Sequence, residues 1–189
     1  MNETPISLLE RLRRQPDESA WRRFVDLYTP VVRGWLARFD VPVNDADDIL
    51  QEVLGTLVRE LPDFEHSGRR GAFRNYVRAI MSHRLQSYWR GRRNGRLPSD
   101  VLEQLADPHS ALWSHWDREH DHMIMNRLMQ LVEPEFASTT WNSFRKVVLD
   151  GTKPALVAAE LGISVNAVLI AKSRVLRRLR EESHDLVDS

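Results

Sequence analysis

The sequence predicts an all-α protein with two small helical domains joined by a flexible linker. Apolar residues recur at three- and four-residue spacing in three successive stretches, 21–39, 49–61 and 73–88, and this is the period of an amphipathic helix. No stretch of the 189 residues alternates as a half-buried strand would. The apolar pattern stops at residues 90–100, which are rich in glycine, arginine and proline, and it resumes only near residue 120.

The composition is typical of an ordered protein that works in water. Hydrophobic residues make up 42% of the chain and charged residues 29%. No run of about 18 apolar residues could form a membrane span, and the N-terminus lacks the apolar core of an export signal. The absence of cysteine excludes disulfides and thiolate metal sites and fits a reducing compartment. We therefore expect a cytoplasmic protein without a membrane partner.

The formal net charge is zero, but the charges are grouped in blocks of one sign. Residues 66–96 contain nine arginines and no acidic residue, and residues 152–180 contain six basic residues against one acidic residue. Residues 40–65 and 97–135 contain eight acidic residues each. Positive surfaces separated by acidic ones indicate a nucleic-acid partner, which senses charge locally.

The first domain begins with two predicted helices. Asp17 is expected to cap a helix over residues 21–39, and Pro30 is expected to kink or divide it. Asn44 is expected to cap the second helix, which stops at Pro62. The second helix is expected to bury the apolar residues Ile49, Leu50, Val53, Leu57 and Leu61.

A loop and a third helix complete the first domain. Residues 62–73 contain two glycines and have no periodicity, so they form a predicted loop. A helix is then expected from about Ala72 to Arg93. Its inner face would comprise Phe73, Val77, Ile80, Met81, Leu85 and Tyr88. Its other face would comprise Asn75, Arg78, Ser82, Gln86 and Arg90.

The domain boundaries follow from this pattern. We expect the first domain at residues 1–95, a linker with at most short helices at 96–121, a second domain at 122–184 and a tail at 185–189.

The second domain ends in "KPALVAAELGISVNAVLIAKSRVLRRL", which has the pattern of a helix-turn-helix. Gly162 would supply the positive φ angle of the turn and Ser164 would cap the second helix. The two helices would pack through Val157, Ala158, Leu161, Ile163, Val165 and Val168.

In a DNA-binding helix-turn-helix the second helix enters the major groove, and later arginines can neutralise phosphates. A purely structural helix pair with a glycine turn is the alternative interpretation of this stretch.

Two further stretches, "DADDILQEV" and "GAFRNYVRAIMSHRLQSYWRGRRN", resemble region 2 of a bacterial RNA polymerase sigma factor, and the helix-turn-helix resembles region 4. The order of these motifs resembles the extracytoplasmic-function (ECF) subfamily of the sigma-70 family, over roughly residues 17–95 and 122–182. The resemblance implies a region 2 helical bundle followed by a region 4 domain. It also implies a protein that binds core RNA polymerase and directs promoter-specific transcription initiation.

The resemblance assigns roles to individual residues. Asp48, Gln51 and Glu52 match the D-x-x-Q-E pattern that binds the coiled coil of the polymerase β′ clamp. The loop from Asp63 to Gly71 and the next helix match the element that melts and holds the −10 strand. The −10 candidates are Phe64, Arg69, Arg70, Arg74, Asn75, Arg78, Ser82, Trp89 and Arg90. Tyr76 is a further candidate, and both it and Trp89 could instead be core residues.

For the −35 element, the candidates are Ser164, Asn166, Ala167, Ile170, Ser173, Arg174, Arg177 and Arg178. Leu169 and Ile170 stand where many family members carry basic or hydroxyl residues, which leaves the −35 preference open. The implied partners are core polymerase, through its β′ clamp and β flap, and promoter DNA. The sequence identifies neither the promoters nor an anti-sigma factor.

Parts of the sequence are compatible with three other functions. His115, His120 and His122, with Asp117 and Glu119, could ligate a metal, but their spacing matches no standard pattern. We therefore expect no metal, no cofactor and no catalytic activity. A helix-turn-helix repressor or activator of duplex operators would not need the acid-free block at residues 66–96. A sigma mimic without a DNA role would lack both basic blocks.

Overall fold

The computed structural model describes residues 7–14, 17–39, 41–64, 71–91, 99–107, 109–184 and 186–187. Within these ranges the chain forms nine α-helices and no strand, so the predicted all-α class is confirmed. The helices are α1 (Leu8–Arg14), α2 (Glu18–Leu36), α3 (Val43–Glu60), α4 (Ala72–Gly91), α5 (Ser99–Ala106), α6 (Ala111–Val132), α7 (Ser138–Val148), α8 (Pro154–Leu161) and α9 (Val165–Ser183). Short 3₁₀ turns lie at Ala37–Phe39, Leu61–Asp63 and Glu133–Glu135.

The starts of α2 and α3 differ in their capping. Asp17 caps α2 as predicted, because its Oδ1 accepts a 2.8 Å hydrogen bond from the N–H of Ala20. The helix passes through the exposed Pro30 without being divided. The predicted cap at Asn44 is wrong: the backbone is already helical at Val43, and Pro42 occupies the N-cap position without a side-chain bond. A proline fits the start of a helix because its φ angle is preset.

Helices α2, α3 and α4 pack around an aromatic centre. The ring of Phe24 stacks on that of Tyr28, with centroids 4.8 Å apart, and Phe73 of α4 meets Tyr28 edge-on at 5.7 Å. The predicted apolar stripe of α3 is buried throughout. The inner face of α4 is buried from Phe73 to Leu85, whereas Tyr88 is half-buried.

Most of the segment expected to be a linker is helical. Helix α5 lies inside it, and α6 begins at Ala111 rather than near residue 120. Trp113 and Trp116 are buried against Trp35 of α2, with ring centroids 6.0 and 5.1 Å from it. The expectation of short helices only was wrong because the charged residues at 117–119, between Trp116 and His120, obscured a helical stripe that continues through His120.

Helix α6 connects the two predicted domains. Its 22 residues span about 33 Å, and it packs against both α2 and α9. Val175 and Leu179 of α9 belong to the same buried cluster as Phe24 and Leu57. The described residues of both domains therefore share one main core, and the domain boundaries themselves stay a prediction.

The helix-turn-helix has the predicted local geometry. The axes of α8 and α9 are bent by 106°, Gly162 has a φ of 66°, and the Ser164 hydroxyl accepts the N–H of Ala167 at 3.1 Å. Val157, Ala158 and Val168 form a small cluster between the helices. Val165 is exposed, contrary to prediction, because it is the first residue of α9 and lies ahead of Val168, through which α9 packs on α8. Among the described helices, none is by itself long and apolar enough to cross a bilayer, and only the bent α8–α9 pair passes that test jointly.

A buried polar network links α2 and α6. His120 is fully buried, with Nδ1 2.9 Å from Asp121 Oδ1 and Nε2 3.3 Å from the Tyr28 hydroxyl. Burial lowers the pKa of His120. A neutral ring whose Nδ1–H donates to Asp121, and whose Nε2 accepts the Tyr28 proton, satisfies all three groups.

Substitution of Trp116 tests whether the start of α6 belongs to the core. Trp116→Ala should lower the free energy of unfolding by about 3–5 kcal/mol, because a large buried side chain is removed. Urea denaturation followed by circular dichroism measures the change. The control Leu156→Ala, at an exposed position of α8, should change stability by less than about 0.5 kcal/mol. Equal small effects would contradict the packing of α6.

The His120 network predicts a pH dependence of stability. Because the pKa of His120 is lowered by folding, the unfolded chain binds a proton more readily, and stability should fall as pH drops below about 6.5. We expect His120→Gln to reduce the slope of unfolding free energy against pH between pH 7.5 and 5.5. The exposed His122→Gln should retain the wild-type slope. Identical slopes in wild type and both variants would contradict a neutral buried His120.

Candidate nucleic-acid and protein interfaces

The predicted polymerase-binding residues lie on the outer face of α3. Asp48, Gln51 and Glu52 are exposed, on the opposite side of the helix from its buried stripe. Glu52 Oε2 is 3.2 Å from Arg84 Nη1 of α4. Asp48 and Glu52 both border a shallow cleft between α3 and α4. A guanidinium from a partner can bind such carboxylates in a bidentate manner and would compete with Arg84.

Tyr88 forms the other wall of this cleft. Its hydroxyl donates a 2.7 Å hydrogen bond to Asp45 Oδ2, which fixes the carboxylate at the start of α3. The ring of Trp89 meets Tyr88 edge-on at 5.1 Å and is half-buried. The C-terminal part of α4 is thus joined to the first turn of α3, which orients the acidic face.

The predicted −10 residues are distributed unevenly around α4. Asn75 and Arg90 are exposed, and Ser82 is half-buried. Arg69 and Arg70 lie outside the described residues. Arg74 and Arg78 are only 12% and 16% exposed in their side chains. Two of the cations expected to hold a DNA strand are therefore largely covered.

Acidic residues of α6 cover these two arginines. Arg74 Nη1 donates a 2.8 Å hydrogen bond to Asp121 Oδ2, and Arg74 Nε lies 3.1 Å from Asp117 Oδ1. Arg78 Nη1 lies 3.9 Å from the same Asp117 oxygen. We call Asp117 and Asp121 the acidic clasp. Burial alone would raise the pKa of Asp121, but hydrogen bonds from His120 and Arg74 outweigh it and lower that pKa.

Apolar and polar contacts extend the cover beyond the acidic clasp. The guanidinium of Arg78 lies 5.5 Å from the ring centroid of Trp113, within cation–π range. The Ser82 hydroxyl donates to the carbonyl of Leu105 at 2.9 Å, and Trp113 Nε1 donates to the same carbonyl at 3.3 Å. An open cleft remains between α4 and α5, lined in part by Asn75 and Gln86. Helices α5 and α6 thus cover Arg74, Arg78 and part of Ser82, while Asn75 and Arg90 stay exposed.

Two aromatic residues anchor the start of the loop after α3. Phe64 packs against Phe73 and Tyr76, with centroids 5.5 and 4.9 Å away. The Tyr76 hydroxyl donates to Glu60 Oε2 at 2.9 Å, and burial, assisted by this bond, raises the pKa of Tyr76. Both side chains are half-buried. In this structure they belong to the layer that packs on the core next to Phe73.

Helix α9 presents most of its predicted −35 face to solvent. Asn166, Ile170, Ser173, Arg174 and Arg177 are exposed, whereas Ala167 is half-buried. The hydroxyl of Ser164 is engaged in the helix cap. The exposed residues share one side of α9, opposite the buried Val168, Ala171 and Val175.

Arg178 differs from the other predicted −35 residues. Its Nε donates a 2.7 Å hydrogen bond to Glu135 Oε2, and its Nη2 pairs with Glu182. Burial alone would lower the pKa of Arg178, but these carboxylates outweigh it and raise that pKa. Arg23 of α2 joins the cluster through Glu135 at 3.0 Å and Glu182 at 3.3 Å. Sequence patterns missed this cluster because its members are far apart along the chain.

The histidines of the α5–α6 segment do not converge. His120 points into the core, while His115 pairs with Glu119 at 3.0 Å on the helix surface. Within the described ranges, no group of three or more His, Cys, Asp or Glu side chains could hold a metal ion.

Comparison with known families yields one match. Residues 24–95, from the first half of α2 to just beyond α4, match the family model for sigma-70 region 2. The match covers 72 of the 189 residues and makes this part of the chain similar to region 2 of sigma-70 factors. It contains both the acidic face of α3 and the arginines of α4. No curated protein matches the chain.

Proposed function

We propose that this chain is an ECF-type sigma factor that binds core RNA polymerase and directs it to specific promoters. The sigma-70 region 2 match carries the proposal, because it coincides with the helices that bear the exposed acidic face and the basic block. The helix-turn-helix that follows, with axes bent by 106°, supplies a second DNA-binding element of the geometry expected for the major groove.

The charge of each surface indicates which partner it would bind. Asp48 and Glu52 would bind cationic side chains of the β′ clamp. Exposed residues of α9 would contact the −35 element, with Arg174 and Arg177 on phosphates. The basic loop and α4 would capture the −10 strand, since an unstacked base needs cations along its backbone and a surface for stacking. Such a protein acts where the chromosome and polymerase are, in the cytoplasm, and performs no chemistry itself.

The acidic clasp adds a requirement to this function. Arg74 and Arg78 cannot bind DNA phosphates while Asp117 and Asp121 neutralise them. Loading of the −10 strand therefore requires the start of α6 to separate from α4. The helix need not melt for this, because the competing contacts involve side chains.

Run-off transcription with core polymerase tests the proposal directly. The full chain, added to core enzyme and a pool of genomic fragments, should produce transcripts with defined starts, and mapping those starts identifies the promoter. A repressor or activator of duplex operators would bind fragments without conferring initiation on core enzyme. Absence of defined transcripts would contradict the proposal.

The acidic face of α3 should be needed for core binding. Asp48→Arg combined with Glu52→Arg should reduce co-purification with core polymerase by about tenfold or more, because attraction to partner cations becomes repulsion. The control Asp26→Arg with Glu133→Arg makes the same charge change at two exposed positions elsewhere. Equal retention of both double variants on core polymerase would refute the assigned surface.

The acidic clasp should oppose DNA capture. Asp117→Asn should raise the affinity of the full chain for the single-stranded, non-template −10 oligonucleotide by up to about fivefold, the effect of an ion pair worth roughly 1 kcal/mol. Fluorescence anisotropy at one fixed salt concentration measures it. The control Glu119→Gln alters an α6 acid that pairs with Arg38 rather than with α4. If Asp117→Asn binds no more tightly than this control, the acidic clasp does not compete with DNA.

A further inference from the structure

The exposed face of α9 carries apolar residues at its centre. Ile170 is 51% exposed and Leu169 is 45% exposed. At roughly 100° per residue, Ile170 lies on the same side of the helix as Asn166, Ser173 and Arg177. Leu169 flanks this side. Neither residue packs in the core, which α9 contacts through its opposite face.

Two adjacent exposed aliphatic side chains, on the helix face that would enter the groove, can bury apolar area only against an apolar partner group. In the major groove, the C5-methyl of thymine is the apolar group on a base edge, whereas guanine, adenine and cytosine present hydrogen-bonding atoms there. Ile170 has no donor or acceptor in its side chain. It can therefore discriminate between base pairs only by contact with a methyl group or by steric exclusion.

The surroundings of Ile170 favour DNA over an apolar protein partner. Arg174 lies about one turn later and Arg177 two turns later, both exposed, and Asn166 lies one turn earlier. A rim of cations and an amide suits phosphates and base edges. The same rim would be costly to desolvate in a protein groove.

We propose that Ile170, flanked by Leu169, recognises thymine methyl groups in the −35 element, and this inference rests on the proposed function. The −35 element should therefore contain one or two thymines whose methyl groups face α9. Recognition through a methyl contact replaces the hydrogen bonds that a basic residue would make to guanine.

Replacement of thymine by deoxyuridine tests the inference, because it removes only the methyl group. The full chain with core polymerase is bound to the mapped promoter, in which each −35 thymine is replaced in turn. Wild-type affinity should fall about fourfold at one or two positions, the effect of one buried methyl-sized group. In Ile170→Ala, thymine and deoxyuridine should bind equally at those positions. Leu156→Ala, an exposed apolar change on α8, should retain the wild-type difference.

The outcomes separate this inference from the proposed function. Equal binding of thymine and deoxyuridine by wild type, or a −35 element without thymine, overturns the inference while the sigma assignment stands. If Ile170→Ala weakens core polymerase binding instead of the methyl dependence, the apolar patch is a protein surface.

Loss of one phosphate contact in Arg174→Ala should lower the slope of log affinity against log salt by about one. An unchanged slope and affinity would refute the placement of α9 in the groove, and the inference with it.

Discussion

The packing of α6 against α2 is the interaction on which the rest of the structure depends. Trp35 is buried against Trp113 and Trp116, which fixes the start of α6 beside α4. The same helix also packs against α9. The position of the helix-turn-helix on the core therefore depends on the packing of these indoles. The buried His120–Tyr28 contact fixes the rotation of α6. With that rotation, Asp117 and Asp121 face α4.

This arrangement explains how a chain with no net charge can contain such strong charge blocks. The acidic block at residues 97–135 supplies the side chains that cover part of the basic block at residues 66–96. The carboxylates of α6 form ion pairs with arginines that would pair with phosphates in a DNA complex. Under the proposed function, the same two arginines bind DNA in the promoter complex and pair with α6 in the free chain.

The sequence predicted what depends on neighbouring residues and missed what depends on distant ones. The caps at Asp17 and Ser164, the φ angle of Gly162 and the stripe of α3 are local features, and they were confirmed. The helix over residues 111–121 was missed because its apolar positions were masked by intervening charges.

In the candidate site, too, local features were predictable from the sequence and long-range contacts were not. The exposure of the α3 acids and of most of the α9 face could be foreseen from helical periodicity. The contacts of Arg74 with α6, and of Arg178 with Glu135, could not, because they join residues 47 and 43 positions apart. Periodicity assigns a side chain to a face but does not identify what packs on that face.

The cluster of Trp35, Trp113 and Trp116 makes opening of this protein optically visible. These are three of the six tryptophans in the chain, and all three are buried where α6 meets α2. Indole emission shifts to longer wavelength when the ring moves from an apolar environment into water. Separation of α6 from α2 would therefore change the intrinsic fluorescence of the unlabelled protein. The α2–α6 interface, which positions α6 over the arginines proposed to bind DNA, thus contains its own reporter.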